Sequence, residues 1–197
     1  MEILRLRWHL VLLRLITPGA MALLIGLSSI IFAYQATAAD DFLEYKVKAA
    51  FLYKFSAYVD WPTTAFNSPT SPFSVCLLDS SDLFNTTLEK VVNGESVNAH
   101  PVVVRRITAI ENEVGCHILY VGTYNSQRNP QAIKSDRDSF ALTVSDSSSH
   151  GVINFLIADN HVRFNIDDEA AAQKHLVISS KLLSLAVNVK RRIPREE

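Results

Sequence analysis

Hydrophobic residues cover most of the circumference of a helix predicted within EYKVKAAFLYKFSAYVDWP, residues 44–62. At about 100° per residue, one side is filled by Leu43, Val47, Phe51, Phe55 and Tyr58. A second stripe continues around the back with Tyr45, Leu52 and Val59. Lys48 and Lys54 interrupt the pattern, but their aliphatic stems can lie along apolar surface. Because the residue before proline avoids helical backbone, we expect the helix to end at Trp61-Pro62.

A helix with so little polar surface must be buried on two sides. Its own sheet can cover one side. The other side is covered by the C-terminal helices of the same chain, by a second copy, or by a partner protein.

Strands and helices alternate after a loop at residues 67–72. The predicted strands are residues 73–79, 101–107, 116–122 and 140–146, and the predicted helices are 80–92 and 129–136. Ser80, Ser81 or Asp82 can cap the first of these helices. This alternation indicates a largely parallel sheet covered by helices on both faces.

The rhythm changes near the C-terminus. Residues 151–167 contain two strand-like runs around Asp159-Asn160, which is typical of a hairpin, and we place it at the sheet edge. A helix is predicted to begin at Asp167 and Asp168. A second helix, capped by Ser179 or Ser180, would carry a stripe of Ile178, Leu182, Leu185 and Val189; a strand over residues 182–189 is the alternative.

The predicted fold class is therefore α/β. We expect a single domain with a mixed, largely parallel sheet sandwiched by helices, with an N-terminal helix and an edge hairpin.

The first 38 residues resemble a secretory signal peptide. Three arginines precede an apolar run at residues 20–33, and Ala36 and Ala38 suit a cleavage site. An uncleaved membrane anchor is the alternative. Cleavage would leave 159 residues (39–197), enough for one domain with a core, located outside the cytoplasm and without a stable membrane anchor. That domain would carry a net charge of about −3, which disfavours nucleic acid as a partner.

Cys76 and Cys116 are the two cysteines of the chain. In an oxidising compartment an even pair favours a disulfide, which here would join neighbouring strands. A reactive or metal-binding thiol pair is the alternative, but no CxxC spacing supports it.

Catalytic motifs are missing from the sequence. It contains no GxSxG, phosphate-binding glycine loop, GxGxxG or HExxH, and its histidines are scattered over separate elements. The run SDSSSHG, residues 145–151, offers Ser, Asp and His close together, but a polar loop explains it equally well. We therefore expect a protein that is not an enzyme and has no metal or cofactor.

A small-molecule site is conceivable where the first strand of the alternating region ends. Asp79, Ser80, Ser81 and Asp82 bring acids and hydroxyls to this carboxyl end, where α/β sheets bind ligands. Capping of the following helix is the structural alternative.

In order along the chain, EYKVKAAFLYKFSAYVDWP, FSVCLLD, VVVRRI, HILYVG, LTVSD, INFLIADNHVRFNID and VISSKLLSLA resemble the YfiR family of periplasmic proteins, across residues 44–187. The resemblance implies a compact α/β domain that often dimerises. It also implies repression of a membrane-bound diguanylate cyclase of the YfiN type through its periplasmic domain, which lowers cyclic-di-GMP and disfavours biofilm. A small-molecule sensor or carrier acting with another membrane receptor is the alternative function.

Some members of that family carry a second cysteine pair around the loop after the LTV strand, and this chain has none there. The resemblance supports the pair Cys76 and Cys116 only. For contacts with the receptor we select the second helix stripe and four polar positions near the last motifs. These residues are Tyr45, Leu52, Val59, Arg163, Asn165, Ser179 and Lys181.

Overall fold

The structure of the chain, a computed structural model, describes residues 42–78, 80–109, 114–122, 139–146 and 151–192. The main folded unit comprises residues 44–197; of the preceding unit, residues 1–43, only 42 and 43 are described. The predicted signal peptide and the helix predicted at residues 129–136 therefore lie outside the described residues.

The first helix, α1, spans residues 42–56. The prediction of a helix is confirmed, but its predicted end at Trp61 is wrong. The chain instead forms the short strand β1 (Val59–Asp60), which pairs antiparallel with β9 (Val177–Ile178). Pairing with β9 gives this backbone sheet hydrogen bonds in place of helical ones, and a 3-10 turn follows at Thr63–Ala65.

Among the described residues, eight strands form a sheet at the centre of the domain, with the order β10-β8-β7-β6-β5-β2-β4-β3. Its strands are β2 (Phe73–Leu78), β3 (Ser96–Val97), β4 (His100–Ile107), β5 (Ile118–Val121), β6 (Leu142–Ser145), β7 (Ile153–Ala158), β8 (His161–Asp167) and β10 (Val189–Lys190). Strands β2, β4, β5, β6 and β7 run parallel, whereas β3 and β8 are antiparallel to their neighbours β4 and β7. The predicted mixed, largely parallel α/β fold is confirmed.

Strand β2 is buried along its whole length because it has a neighbour on each side and apolar residues on both faces. Val75 and Leu77 join a large hydrophobic cluster, while Cys76 and Leu78 point to the opposite face and join a smaller one. Helix α2 (Asp82–Val92) buries its apolar stripe in the larger cluster.

The hairpin of β7 and β8 is confirmed. Its turn residues Asp159 and Asn160 have φ values of 50° and 58°, the left-handed backbone that a two-residue hairpin turn requires and that Asp and Asn tolerate. The hairpin is not the outermost element, because β10 pairs in parallel with β8 on its outer side.

The C-terminal region contains two short helices, α3 (Asp168–Gln173) and α4 (Ser180–Leu185). The predicted helix start at Asp167 and Asp168 is confirmed, with Asp167 as the cap, and so is the predicted cap Ser179. Continuation of the second helix to Val189 is wrong, and so is a strand over the whole of residues 182–189. The helix α4 ends because the following backbone forms hydrogen bonds with β8. The Val187 N–H donates to the Phe164 carbonyl (2.9 Å), and the Ile166 N–H donates to the Asn188 carbonyl (3.0 Å).

The disulfide between Cys76 and Cys116 is confirmed, with a Cα–Cα distance of 5.8 Å. It joins β2 to the residue that leads into β5, and both sulfur-bearing side chains are buried.

Replacing both cysteines, Cys76→Ala with Cys116→Ala, should lower the free energy of unfolding by about 4 kcal/mol. The bond closes a loop with a sequence separation of 40, and the chain-entropy model gives this value for such a loop. Urea denaturation of the oxidised protein and of the double variant measures the difference. A loss below about 1 kcal/mol would contradict the assigned role of the disulfide.

Candidate functional site

The parallel part of the sheet has the strand order β4-β2-β5-β6-β7. In this doubly wound order, β4 is added on one side of the first strand, β2, and the later strands are added on the other side. In such sheets ligands bind outside the carboxyl ends of the strands at the point of reversal. Here that point lies between β2 and β5, where the sequence predicts a ligand site.

The predicted ligand residues that the structure describes are engaged in starting helix α2. The Ser81 hydroxyl accepts the Phe84 N–H (3.2 Å), and the Ser80 hydroxyl forms a short hydrogen bond with Asn85 Oδ1. Asp82 is exposed and lies 3.5 Å from Arg106. Asp79 lies outside the described residues. The capping alternative thus explains the arrangement of Ser80 and Ser81.

A buried ion cluster lies at the same end of the sheet. Lys48 Nζ of α1 is 3.0 Å from Asp146 Oδ1, which follows β6, and 2.5 Å from Glu44 Oε1. The Tyr120 hydroxyl of β5 donates to Asp146 Oδ2 (2.6 Å). Sequence analysis missed this cluster, because nothing in a single sequence relates Lys48 to Asp146.

Lys48 and Tyr120 both stay protonated at neutral pH. Burial disfavours the charged ammonium, but the carboxylates of Asp146 and Glu44 outweigh it, so the pKa of Lys48 is raised. Burial, reinforced by Asp146, raises the pKa of Tyr120 well above 10. Both shifts favour the protonated groups in the folded state, so this contribution to stability is complete below about pH 10 and is lost only as the pH rises further.

Aromatic rings enclose the ion cluster. Phe84 stacks on Tyr120 with a centroid distance of 4.5 Å, and Tyr45 meets Phe84 edge-on at 5.7 Å. Lys48 Nζ lies 5.9 Å from the Phe155 centroid. The charges therefore satisfy one another inside the protein, and their role is to fasten α1 to the carboxyl end of the sheet.

Beside Asp146, a buried polar network joins the end of β6 to Gly151 and to β7. The Asn154 side-chain oxygen accepts from the Ser145 hydroxyl and from the Gly151 N–H, each at 2.9 Å, and the Asn154 amide donates to the Gly151 carbonyl. A Cβ at Gly151 would lie 2.7 Å from the Ile153 carbonyl oxygen. The close packing requires glycine there, and the network positions the end of β6, which Asp146 follows.

The residues predicted to contact a receptor do not come together. Leu52 is 0% and Val59 3% exposed, so the expectation that these two offer a surface is wrong: the second stripe of α1 packs into the core beneath it. Tyr45 is half-buried. Arg163 is exposed on β8, and Asn165 is half-buried on the same strand.

Ser179 and Lys181 lie near the C-terminal end of α1. The Ser179 hydroxyl accepts the Leu182 N–H (3.3 Å) as the cap of α4, and its own N–H donates to the Tyr58 carbonyl. Lys181 Nζ stands 5.4 Å from the Tyr58 ring centroid. Of this pair, only Lys181 is well exposed.

An exposed apolar surface that the sequence did not indicate lies where the β7–β8 hairpin passes α1. We call it the hairpin surface; its residues are Phe51, Ile157, Val162 and Val187. Ile157 pairs with Val162 across the hairpin, Phe51 lies 5.5 Å from the Phe164 ring, and the Val187 N–H binds the Phe164 carbonyl. Ile157 is 51% and Val187 59% exposed, which is high for branched aliphatic residues grouped together.

A pocket lies between α4 and the end of the described chain. Its lining residues are Asp168, Ser180, Leu183, Ser184, Val189, Arg191 and Arg192. Asp168 accepts two hydrogen bonds from Arg192, at 2.8 and 3.0 Å, so these two charges neutralise each other. Arg191 and the two serines then provide the remaining polar groups around an apolar floor.

Within the described residues, no group of His, Cys, Asp and Glu side chains is arranged to hold a metal ion. None of the described helices has the length and hydrophobicity needed to cross a bilayer.

Breaking the ion cluster should strongly destabilise the fold. Asp146→Ala leaves Lys48 buried beside Glu44 alone, and we expect a loss of about 3–5 kcal/mol in unfolding free energy. The combined change Lys48→Met with Asp146→Ala should recover part of the loss, because no unpaired charge remains. Arg106→Ala, which removes an exposed pair with Glu89, should cost less than about 1 kcal/mol. Chemical denaturation measures all three; equal effects of Asp146→Ala and Arg106→Ala would contradict the assignment.

Comparison with known proteins assigns the chain to a family. No curated protein matches the sequence significantly. A family model described as YfiR/HmsC-like matches residues 45–187. The match begins in the first turn of α1 and ends at Val187, which is hydrogen-bonded to β8. This match includes Lys48, Asp146 and Tyr120 of the ion cluster, the disulfide and the hairpin surface, and it covers well over half of the chain. The protein belongs to the YfiR/HmsC-like family.

Proposed function

We propose that this protein is a periplasmic binding protein that represses a membrane-bound diguanylate cyclase of the YfiN type and so lowers cyclic-di-GMP. The family match carries the proposal: the YfiR/HmsC-like family implies a periplasmic regulator of a diguanylate cyclase. In this proposal residues 1–38 are a cleaved signal peptide, residues 39–197 are the exported domain, and the protein acts by binding, without catalysis.

Repression by binding requires that the protein prefer one state of its receptor. A ligand shifts a two-state equilibrium only by its difference in affinity, so this protein must bind the inactive cyclase better than the active one. The contact surface must therefore be specific in shape.

We assign the centre of that contact to the hairpin surface. Interface centres are apolar and depleted in charge, and Ile157 and Val187 are exposed branched aliphatic residues on a rigid support. Tyr45, Arg163, Asn165, Ser179 and Lys181 remain proposed as flanking contacts, while Leu52 and Val59 are no longer part of the proposal. A homodimer, which the family resemblance implies, would add a second copy of the same surface.

The double variant Ile157→Glu with Val187→Glu should derepress the cyclase. Burying two carboxylates without partners costs several kcal/mol, so we expect an affinity loss of about 100-fold or more. Cellular cyclic-di-GMP is measured in a deletion strain of the native host that carries either the wild-type or the variant gene. The variant strain should match the deletion strain.

Val114→Glu is the matched control, because Val114 is also aliphatic and 80% exposed but lies in the connection between β4 and β5. It should repress like the wild type. Exposed substitutions change unfolding free energy little, so both proteins should melt near the wild-type temperature. A double variant that is folded and still represses fully would exclude the hairpin surface. A deletion strain with unchanged cyclic-di-GMP would exclude the cyclase as the target.

The alternative function, a small-molecule sensor or carrier acting with another receptor, is favoured by the pocket beside α4. Arg191 with Ser180 and Ser184 suits an anionic group, and Leu183 with Val189 suits an apolar part. The predicted positions Asp79 to Asp82 remain a second place to search for such a ligand.

A panel of small carboxylates and phosphates tests this alternative. A specific ligand binds the folded state and so raises the melting temperature of the purified protein. At a ligand concentration of 100 times the dissociation constant, the free energy of unfolding rises by about 2.7 kcal/mol. Arg191→Ala should abolish the increase, whereas Arg106→Ala should preserve it. If the whole panel leaves the melting temperature unchanged, the alternative is weakened and the cyclase proposal is unaffected.

A further inference from the structure

Four aromatic rings are stacked near the start of strands β2, β4 and β5. Phe66, which follows the 3-10 turn, lies between His100 and His117, with centroid distances of 4.1 and 4.5 Å. The other face of His117 lies 4.8 Å from Phe73. The stack attaches the segment 61–72 to the sheet, and it has no part in the hairpin surface or in the ion cluster.

Hydrogen bonds define the protonation state of His117. Its Nδ1 lies 3.1 Å from the backbone nitrogen of Ser74 in β2, and an amide N–H can only donate. Nδ1 must therefore be the unprotonated acceptor, and the single ring proton resides on Nε2. That nitrogen is buried near the Ala65 carbonyl, without a hydrogen bond of normal geometry.

The two histidines of the stack respond differently to a second proton. His100 Nδ1 lies 2.6 Å from the Ser71 carbonyl, which can only accept, so His100 already donates there and keeps this bond when it is protonated. His117 has no such option. A proton on Nδ1 would point at the Ser74 N–H, so His117 can become charged only if the ring leaves this position.

Few charges near His117 oppose or support its protonation. Burial lowers the pKa of His117 to about 4; the Ala65 carbonyl acts in the opposite direction, and a charge on His100 lowers it further. The other groups packed against the ring, from the 3-10 segment and from β2, are Phe66, Phe73 and the Ser74 amide, which do not titrate. Among the described residues, His100 is thus the titratable neighbour of the ring.

The segment 61–72 depends on the stack for its attachment. Trp61 Nε1 donates to the His117 carbonyl (3.2 Å), and the Trp61 ring meets Phe73 edge-on at 5.0 Å. At the far end of the segment, the Ser71 carbonyl accepts from His100 Nδ1 of β4 (2.6 Å). Other hydrogen bonds, such as Ala65 to Pro62 and Ser71 to Ser68, lie within the segment. Displacement of the His117 ring would therefore loosen the segment while the strands behind it stay paired.

We propose that His117 controls an acid-sensitive latch: its protonation breaks the bond to Ser74 and releases residues 61–66, exposing Trp61 and Phe66, while His100 still holds Ser71. The use of such a latch rests on the proposed export to the periplasm, where the domain would meet the pH outside the cytoplasm. The latch would then change an apolar surface at the amino end of the sheet in response to acidity.

The expected size of the effect follows from linkage. In the open state the ring titrates near its ordinary pKa of 6.5, whereas in the closed state it titrates near 4. The closed state is therefore fully favoured above pH 6.5 and loses its advantage as the pH falls from 6.5 towards 4. Between pH 7.5 and pH 5 the open population should rise roughly 30-fold.

Amide hydrogen exchange of the wild-type full chain, followed by NMR, tests the latch without a mutation. After correction for the intrinsic pH dependence of exchange, the protection of the Ser74 amide should fall roughly 30-fold between pH 7.5 and pH 5. The amides of Leu119 and Val144, in neighbouring buried strands, should keep their protection. Nitrogen chemical shifts of His117 should show the Nε2-protonated ring at neutral pH.

Two variants sharpen the test. His117→Asn keeps a side-chain acceptor near Ser74 but cannot be protonated, so the acid-induced loss should disappear; His161→Asn, in the exposed hairpin turn, should leave it unchanged. In a Trp8→Phe chain, Trp61 is the single tryptophan, and its emission should shift to the red on acidification. Constant protection of Ser74 down to pH 5, equal loss at all three amides, or an unaltered acid response in His117→Asn would each overturn the proposal.

Discussion

The placement of helix α1 depends on one buried charge. Lys48 cannot be taken out of water unless carboxylates accompany it, and Asp146 and Glu44 supply them at 3.0 and 2.5 Å. Hydrophobic burial alone has no direction, so the apolar stripes of α1 would tolerate sliding or rotation on the sheet. The ion cluster removes that freedom, because only one position brings Lys48 to Asp146. Phe51 and Phe55 are then held against Phe155 and Phe164. Phe51 thereby takes its place in the hairpin surface.

The two ends of the sheet are closed by different chemistry. At the carboxyl end, the raised pKa values of Lys48 and Tyr120 keep these two groups protonated below about pH 10. At the amino end, a stack of rings depends on a neutral His117. Cys116 precedes His117 and is bonded to Cys76 by the disulfide. The backbone next to His117 is therefore held in place even when the His117 ring moves. Acid can therefore act on residues 61–66 while the disulfide keeps the strands behind them together.

The sequence predicts the elements well where a local pattern determines them. Buried strands such as β2 read as continuous apolar runs, the Asp159-Asn160 turn defines the hairpin, and Ser81, Asp167 and Ser179 mark helix starts. The errors occur where distant backbone competes with local preference. The residues after α1 pair with β9, and the residues after α4 form hydrogen bonds with β8. The sequence of each segment gives no information about its distant partner.

The candidate site was less predictable for the same reason. Periodicity identified two apolar stripes on α1, but could not tell which stripe faces the core, and Leu52 and Val59 turned out to be buried. From the sequence, Lys48 was interpreted only as a residue whose stem can lie along apolar surface, because its partner Asp146 is 98 positions away. The hairpin surface exists only after three separate segments meet: α1, the β7–β8 hairpin and the chain after α4. A regulator that acts by binding benefits from this construction, because a surface supported by a sheet, a charged anchor and a fixed hairpin needs little ordering when a partner docks. The free energy of binding is then available to distinguish one state of the receptor from another, as the proposed repression requires.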